Sequence, residues 1–499
     1  MCRPSKKKKE EMWKDMEKAL IIGGGVAGLT AGIFLRKNGV ACEVLERNRT
    51  VGGNLTGWRR GDYVIDNCLH WLTGSRKGTA LYDLWQEIGM LGEDTGLYRA
   101  PYFYKSEVGG RSAALYASVA QTRRALHLLS PADAREIDRL LDAVEALRDA
   151  ECRIGSSSLR YASALPRVLR YGCLSLSELA EKFESPVIRA LLTDYIGGEF
   201  MALGLLSAYA SFTCGNASLP LGGSPAAAER IAETFVSLGG ILRTGCEVTR
   251  IVTNGREATG ILTSDGHFHR GNAVFCACDP YLTFGHLLPD VKMPRVLKEK
   301  HSLRFSAMHA AFACDTDMIP RFDTLVIDAP VLTPGGAGRL VLREFSHEPA
   351  FAPAGKRVLQ CMVLQNEEEC RKWILLSRRP EDYRRRKEIL AGRMARAIVT
   401  RFPSVTDSLR LLDFWTPATY RRYHGAPCGS FMSFYLPPRR LPVSLPHTVA
   451  PYRNVYLATQ WCRSPGGVPG AAIAGKEAAE EALKKAAEKN AGIFGTKAI

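Results

Sequence analysis

A glycine-rich turn near the start of the chain constrains the fold more than any other feature of the sequence. Residues 23–28 read Gly-Gly-Gly-Val-Ala-Gly and follow the apolar run 19–22, while residues 26–37 repeat apolar side chains at helical spacing. A second apolar run covers residues 41–45. Strand, tight turn, helix and strand in this order predict a β-α-β unit that opens a Rossmann-like domain. We therefore expect this segment to bind a nucleotide.

The residues of this turn have separate predicted roles. Gly23 would allow the tight turn, Gly25 would let the backbone approach a pyrophosphate, and Gly28 would let the helix and the strand lie close together. Val26 and Ala27 open the helix, and the positive end of that helix would face the phosphates.

The residues after the second apolar run indicate which nucleotide binds. Glu46 follows the glycines at close to the ~20 residues at which an acidic side chain accepts hydrogen bonds from a ribose hydroxyl. Because a carboxylate there repels a 2′-phosphate, NADP is disfavoured. Arg47 and the pair Gly52-Gly53 come next, and Asn54 continues a loop that could run close to a second phosphate. These features favour FAD over NAD.

A second glycine-rich segment lies near the other end of the chain. Residues 465–470 read Pro-Gly-Gly-Val-Pro-Gly, and a helix of small residues is predicted from 471 to about 488. The glycines let backbone N–H groups approach a ligand, and the helix end would stabilise negative charge at the N1/C2 carbonyl edge of a reduced flavin. The predicted cofactor contacts from this segment are Gly466, Gly467, Val468 and Pro469.

Length and composition describe an ordinary globular protein of more than one structural unit. The chain has 499 residues, of which 46% are hydrophobic and 24% charged, and single domains usually have ~100–200 residues. The 14 cysteines are scattered without a CxxC pair, so neither a metal site nor a disulfide framework is expected. Before the first motif there is no apolar segment of signal-peptide type, and we expect a cytoplasmic protein.

The basic character of the chain bears on its partners. The formal net charge is +16, which invites an anionic partner, but no module that reads bases is recognisable and no nucleic acid is expected. A solvated basic surface is one interpretation. The other is peripheral association with anionic lipid at the inner face of the cell membrane through an arginine-rich helix predicted over 382–402. Its apolar stripe consists of Ile389, Leu390, Met394 and Ile398.

Three separated stretches resemble FAD-dependent oxidoreductases of the phytoene desaturase, carotenoid isomerase and retinol saturase type, within the flavin amine oxidase superfamily. They are residues 22–54, residues 416–423 (Thr-Pro-Ala-Thr-Tyr-Arg-Arg-Tyr), and residues 455–461 running into the second glycine-rich segment. Residues 220–223 (Pro-Leu-Gly-Gly) are similar to the family's PxGG element. The likeness covers nearly the whole chain and implies FAD as cofactor.

The resemblance adds site residues and shows one departure. It implies that the backbone at Val248 contacts the adenine and that Gln460 lies among the cofactor contacts. Where the family often has an Asp-x-Gly turn beside the flavin, this chain reads Asp-Asn-Cys-Leu-His-Trp over residues 66–71. His70 could therefore touch the isoalloxazine edge or donate a proton, although a hydrogen-bonded structural histidine is an equally simple interpretation.

The expected fold class is α/β, with a Rossmann-like FAD-binding domain of the GR2 type, in three layers β/β/α, and an inserted α+β substrate domain. The FAD-binding domain is predicted from residues 18–75, 221–285 and 441–490, the substrate domain from 76–220 (mostly helical) and 286–440, and flexible tails at 1–17 and 491–499.

The expected function is that of an oxidoreductase acting on C–C bonds of an apolar small molecule: a polyene, an isoprenoid or another lipid. Desaturation, saturation and isomerisation would use the same architecture, and the sequence names neither the substrate nor the electron donor or acceptor. One alternative is a flavin amine oxidase, which needs an aromatic sandwich around the flavin. Another is a non-catalytic prenyl-lipid-binding protein of the GDP-dissociation-inhibitor type, which the two intact glycine motifs disfavour.

Overall fold

The computed structural model describes residues 16–152, 165–298, 304–330, 338–435, 437–440 and 443–495. In chain order the described strands are β1 (Lys18–Ile22), β2 (Ala41–Glu46), β3 (Gly57–Arg60), β4 (Tyr63–Asp66), β5 (Leu72–Thr73), β6 (Leu97–Tyr98), β7 (Tyr102–Val108), β8 (Arg111–Tyr116), β9 (Ala217–Pro220), β10 (Ile241–Thr244), β11 (Val248–Asn254), β12 (Glu257–Thr263), β13 (Phe268–Arg270), β14 (Ala273–Cys276), β15 (Ser306–Asp315), β16 (Thr324–Asp328), β17 (Arg339–Glu344), β18 (Lys356–Gln365), β19 (Arg410–Trp415) and β20 (Val455–Leu457).

The described α-helices are α1 (Val26–Lys37), α2 (Ala80–Glu87), α3 (Val119–Leu129), α4 (Ala134–Cys152), α5 (Leu165–Val168), α6 (Leu176–Ala180), α7 (Pro186–Thr193), α8 (Ala202–Thr213), α9 (Gly223–Ser237), α10 (Pro280–Leu282), α11 (Arg295–Lys298), α12 (Glu367–Leu376), α13 (Pro380–Arg401), α14 (Pro417–His424) and α15 (Gly467–Gly495). In the part of the chain that the structure describes, no helix is both long and apolar enough to cross a membrane.

The first layered unit is a parallel sheet in the strand order β10-β2-β1-β14-β20. Apart from the exposed edge strand β10, its strands are buried on both faces, and alternate residues point to opposite faces. Ile21 and Phe275 face helices α1, α9 and α15. Leu20 and Val274 face the antiparallel sheet β11-β12-β13. The antiparallel sheet, the parallel sheet and the helices therefore form the three layers, β/β/α, that the sequence predicts.

The second unit is a larger sheet in the order β19-β15-β18-β17-β16-β7-β8. On one face, residues such as Phe312 lie against α13, whose buried side chains include Leu390, Met394 and Ile398. On the other face, Ala307 and its neighbours lie under helices α3, α4, α7 and α8. The expected α+β substrate domain is thus present, and β15 contributes a residue to each face in turn.

Two predicted features of this unit differ in detail. The segment 76–220, predicted as mostly helical, also contains the strands β7 and β8, which extend the sheet from its β16 edge. The turn between them is Gly109-Gly110, with φ of 56° and 78°, a hairpin signal that the helical periodicity on either side obscured. Ile389 does not share the buried stripe of α13, since it is 41% exposed and lies one residue before the buried position Leu390.

The C-terminal helix also differs from its prediction. It begins at Gly467 instead of residue 471, because a proline in the first turn needs no hydrogen-bonded N–H and Pro469 is therefore tolerated there. The helix continues to Gly495, so residues 491–495 are helical and not a flexible tail. Apart from these and residues 16–17, the predicted tails lie outside the described residues.

Candidate active site

A cavity of about 540 Å³ runs between the two units, within the range of roughly 300–1,000 Å³ that is usual for small-molecule sites. The cavity brings together nearly all the residues that the sequence analysis selected. From those residues it is lined by Gly23, Gly25, Val26, Ala27, Glu46, Arg47, Gly52, Gly53, Asn54, His70, Val248, Gln460, Gly466, Gly467, Val468 and Pro469.

Gly28 is the exception among the predicted contacts, because it does not line the cavity. A Cβ built on Gly28 would lie 2.1 Å from the carbonyl oxygen of Gly23 and 2.9 Å from Cβ of Ala277. Gly28 therefore serves the close approach of α1 to β1 and β14, which is the packing role predicted for it, and not cofactor contact.

The glycine turn is held by the acidic side chain that ends β2. One carboxylate oxygen of Glu46 accepts a hydrogen bond from the backbone N–H of Gly24 at 2.7 Å, and the other accepts from the backbone N–H and side-chain amide of Asn48, each at 2.8 Å. Since a carboxylate has about four acceptor positions, Glu46 fixes the turn and keeps capacity for a ribose hydroxyl.

Arg47 ties this turn to the end of α14, and Asn54 ties it to the loop that follows α14. Arg47 donates through Nε to the carbonyl of Tyr423 at 3.1 Å and through Nη2 to that of Arg422 at 3.0 Å. The side-chain amide of Asn54 donates to the carbonyl of Phe431 at 3.0 Å. Both residues line the cavity. Their hydrogen bonds connect the part of its wall that follows β2 to the part that follows β19.

The C-terminal glycine segment forms the opposite part of the wall. Gly466 and Gly467 have φ of 88° and 80°, a conformation that favours glycine. The side-chain oxygen of Gln460 accepts a hydrogen bond from the N–H of Gly467 at 2.9 Å. Gln460 therefore shapes the turn from which α15 starts, so that the positive end of this helix lies at the cavity.

The glycine-lined end of the cavity fits FAD. Gly25 is the N-cap of α1 and makes no side-chain cap hydrogen bond, so N–H groups of the first helical turn are available to a phosphate. A Cβ on Gly25 would lie 3.8 Å from Cα of Gly53, and side chains at this pair would occupy the space between the loops. Oδ1 of Asn54 is buried without a hydrogen-bond partner among the described residues, which leaves it for a hydroxyl of the ligand.

His70 faces the other end of the cavity and is hydrogen-bonded. Its Nδ1 lies 2.6 Å from the hydroxyl of Tyr195. Burial, followed by the positive charge of Arg343, holds the pKa of His70 well below its usual value, so the imidazole is neutral. His70 is thus a hydrogen-bonded residue that also lines the cavity, and its contact with the flavin edge stays a prediction.

A second histidine that the sequence analysis missed lies in the same wall. His309 comes from the middle of β15 and stacks on Trp415, with ring centroids 4.8 Å apart. Its Nε2 lies 3.2 Å from the hydroxyl of Tyr420. That hydroxyl donates to Oδ1 of Asn67 at 2.8 Å, which also accepts from Nε1 of Trp415 at 3.0 Å. Burial, with the charge of Arg343, lowers the pKa of His309 to about 3.

Arg343 adds to the effect of burial in keeping both imidazoles neutral. It lies on β17, is 7% exposed, and donates to the carbonyl of Leu69 at 2.7 Å. No carboxylate in the described ranges lies within ion-pair distance of it. Its positive charge therefore acts on the cavity side of the sheet without a close counter-ion.

Local signals for the missed residues were weak. His309 is the one basic side chain in the apolar run 305–313, a pattern that indicates a buried polar residue but not its partner. Tyr195 lies in a helical segment with no motif. Asn67 and Tyr420 belong to stretches already quoted for the resemblance, yet nothing in the sequence shows that their side chains meet.

The fold and the cavity define a class of protein: a Rossmann-like unit with two glycine-rich turns at a cavity that it shares with a second α+β unit. The chain belongs to the flavin-containing amine oxidoreductase family, whose model matches residues 26–483. It is an FAD-dependent oxidoreductase, with FAD as its cofactor. The non-catalytic alternative is therefore set aside.

The relatives support the resemblance to carotenoid and retinoid enzymes. The 1-hydroxycarotenoid 3,4-desaturase of Flavobacterium sp. (strain P99-3) is 25% identical over 313 residues, covering 58% of this chain and 62% of that protein. The prolycopene isomerase of Arabidopsis thaliana is 23% identical, covering 52% and 44%. The match spans less than two thirds of the length of these two relatives. The all-trans-retinol 13,14-reductase of Danio rerio is 23% identical, covering 92% and 85%.

Solved structures agree in fold. An oxidoreductase from Methanosarcina mazei is 16% identical with a TM-score of 0.61, covering 93% of this chain and 100% of that one. Cyclohexylamine oxidase from Brevibacterium oxydans IH-35A is 15% identical with a TM-score of 0.57, covering 94% and 99%. At this identity the likeness concerns the fold alone.

Proposed function

We propose that this enzyme acts on C–C bonds of an uncharged, apolar substrate of the polyene, isoprenoid or lipid type, as a desaturase, saturase or isomerase. The observation that carries the proposal is the distribution of charge along the cavity. Among the described lining residues, the charged side chains are Glu46, Arg47, Glu247 and Asp279, and they all belong to the nucleotide end.

The substrate end of the cavity has an apolar wall. The segment from the end of α7 through α8, the strands β15 and β18, and the loop after α14 contribute it. The polar side chains in this part of the cavity are uncharged, and they include His70, Tyr195, His309 and Tyr420. Because an apolar molecule gains about 25 cal/mol for each Å² removed from water, such a wall binds a hydrocarbon chain without a charged partner. Its large apolar lining residues are Trp71, Ile196, Phe200, Phe305, Met362, Leu364 and Phe431.

Arg343 argues against a cationic amine in this wall. The charge of Arg343 acts on both His70 and His309 and lowers the pKa of each. The same positive potential disfavours an ammonium group placed between them. A neutral substrate is not repelled by this positive potential.

When bound, FAD supplies hydride or electron transfer at flavin N5. The chain supplies binding and orientation. The turns at Gly25 and Gly466 hold the nucleotide, the apolar wall excludes water and holds the substrate chain, and the uncharged imidazoles of His70 and His309 offer hydrogen bonds without adding charge.

The activities for which the relatives are named support this substrate class. A carotenoid desaturase, prolycopene isomerases and a retinol reductase act on polyenes, and the last of them covers most of both chains. The direction of the reaction and the substrate differ among these relatives. The proposal therefore covers only the type of bond and the apolar class of substrate.

Anaerobic flavin absorbance tests the proposal. Oxidised holoenzyme mixed with polyene or isoprenoid hydrocarbons, and reduced holoenzyme mixed with their unsaturated counterparts, should show bleaching or recovery of the flavin band in one direction. Isomerisation would appear as a changed double-bond geometry of the recovered polyene. Bleaching by amines with hydrogen peroxide release in air, and no response to any polyene, would replace the proposal by the amine oxidase alternative.

A blocking variant sharpens this test. Gly204 lies exposed in the cavity wall on α8, with open space where a side chain would begin. Gly204→Trp should therefore slow the response to polyenes at least tenfold and leave flavin content unchanged. Gly392→Trp is the matched control, because Gly392 on α13 has equally open surroundings and does not line the cavity.

A further inference from the structure

The hydrogen bonds around His309 determine which of its ring nitrogens carries the proton. Nε1 of Trp415 can only donate, and its N–H is shared between an Asn67 atom at 3.0 Å and the hydroxyl oxygen of Tyr420 at 3.1 Å, so the Asn67 atom is the amide oxygen. Because this oxygen can only accept, the hydroxyl of Tyr420 must be the donor in its 2.8 Å contact with Asn67. The Tyr420 proton therefore lies in the hydrogen bond to Asn67 and cannot be donated to His309.

The tautomer of His309 follows. With the proton of Tyr420 committed to Asn67, the 3.2 Å contact between the Tyr420 oxygen and Nε2 of His309 requires a proton on Nε2. A neutral imidazole has one N–H, so Nδ1 carries a lone pair. Among the described residues, Nδ1 has no hydrogen-bond partner, although the residue is only 7% exposed.

This leaves an unused acceptor in a wall that carries no charged side chain. The apolar lining residues Phe305, Met362 and Phe431 offer no hydrogen-bond donor from their side chains. The ring is fixed from behind by its stacking on Trp415, with planes 3° apart. Because Nδ1 is not fully enclosed by protein atoms, a ligand or water in the cavity can reach it and satisfy it.

We infer that His309 is a specificity residue that accepts a hydrogen bond, through Nδ1, from a hydroxyl group of the substrate. The inference rests on the proposed function and narrows it: the substrate is a polyene or isoprenoid alcohol instead of the bare hydrocarbon. Tyr420 is a positioning residue, since its hydroxyl holds the proton of His309 on Nε2. The positive charge of Arg343 suits a neutral alcohol and not an ammonium donor.

Binding of three matched ligands tests the inference. They share one polyene skeleton and end in a hydroxyl, a methyl ether or hydrogen, and only the first can donate a hydrogen bond. Binding to the flavin-loaded protein is followed by quenching of tryptophan fluorescence, because Trp71 lines the cavity and Trp415 stacks on His309. We expect the alcohol to bind about tenfold more tightly than both other ligands, the value of one net hydrogen bond.

Variants locate this preference. His309→Phe keeps a ring on Trp415 and removes the acceptor, and it should make the three affinities equal without weakening hydrocarbon binding. Tyr420→Phe should reduce the preference for the alcohol, since Nε2–H loses its acceptor and the proton is no longer held there. Tyr456→Phe is the matched control: Tyr456 is buried in the parallel sheet on Phe275 and should leave the preference intact.

The outcomes separate this inference from the proposed function. If all three ligands bind wild-type protein equally, or if the ether binds as tightly as the alcohol, the inference is wrong while the proposed function stands. A preference that survives in His309→Phe also overturns it. If no polyene binds at all, the proposed function fails and the inference falls with it.

Discussion

Gly28 has no space for even one methyl group, because its Cβ would overlap the carbonyl oxygen of Gly23. Gly28→Ala is therefore expected to push α1 away from β1, to destabilise the protein by roughly 1–3 kcal/mol as overpacking does, and to lower the flavin content. Thermal unfolding and the flavin-to-protein absorbance ratio measure both effects.

Gly392→Ala is the control for this substitution. Gly392 lies in the middle of α13, where a Cβ meets nothing within 4 Å, so alanine should stabilise the helix slightly or leave it unchanged. A Gly28→Ala protein that unfolds at the same temperature as wild type and keeps its full flavin content would contradict the packing role assigned to this glycine.

Residue types fixed by the local backbone were predictable, whereas those fixed by distant partners were not. The roles of Gly23, Gly25 and Glu46 follow from spacing within one β-α-β unit. Tyr195 and His70 are 125 positions apart, and His309 and Tyr420 are 111 apart. No local pattern encodes a contact over such separations, so these pairs appear only in the folded chain.

At the level of elements, α12 and α13 form a basic surface on the outside of the substrate sheet. Leu375 is 58% and Ile389 is 41% exposed there, and exposed arginines surround them: Arg378, Arg384, Arg385 and Arg386. Apolar side chains among cations match the headgroup and acyl boundary of an anionic bilayer. We keep peripheral membrane association as a proposal for this surface.

Vesicle co-sedimentation checks this surface. Wild-type protein should bind vesicles containing phosphatidylserine and lose binding in high salt, because each basic residue near such a surface contributes about 1 kcal/mol. Changing Arg384, Arg385 and Arg386 to Gln should weaken binding at least tenfold. The control variant changes to Gln three arginines that are exposed on helices α3, α4 and α5: Arg124, Arg135 and Arg167. It alters the net charge by the same amount and should have little effect on vesicle binding. Equal loss in both variants would assign the binding to net charge alone.

Elements with strong periodicity were predicted well, and short strands between helices were not. The helix α1 and the strands β1 and β2 lie within a residue or two of their predicted positions. The hairpin β7-β8 and the edge strand β19 gain their stability from pairing with β16 and β15. Because such pairing is not a property of the segment alone, sequence periodicity did not reveal them.

For the whole molecule, one buried carboxylate makes stability depend on pH. Asp279 caps α10 by accepting from the N–H of Tyr281 at 2.8 Å, and its Oδ2 has no partner among the described residues. Burial raises the pKa of Asp279 to about 7, against the opposing charge of Arg304. Cys278, whose pKa burial raises to about 11, stays neutral beside it.

The sign of the effect follows from proton binding. With the folded pKa above the unfolded value of 3.8, the native state holds the extra proton between about pH 4 and 7, so this group makes stability fall as pH rises through that range. Asp279→Asn keeps the cap and removes the titration. Thermal unfolding at pH 5 and pH 8 should show a smaller pH-dependent loss in the variant than in wild type; equal losses would contradict a raised pKa.

The parallel sheet of the nucleotide-binding unit has a consequence for how the enzyme matures in the cell. Its edge strand β20 and the helix α15 are synthesised only after the substrate domain, since residues 286–440 separate them from the rest of that sheet. The nascent chain therefore carries the first phosphate-binding turn for most of its synthesis without the second. We therefore expect the vitamin-derived prosthetic group to be captured late, and a shortage of riboflavin to leave an apoprotein with an open apolar groove.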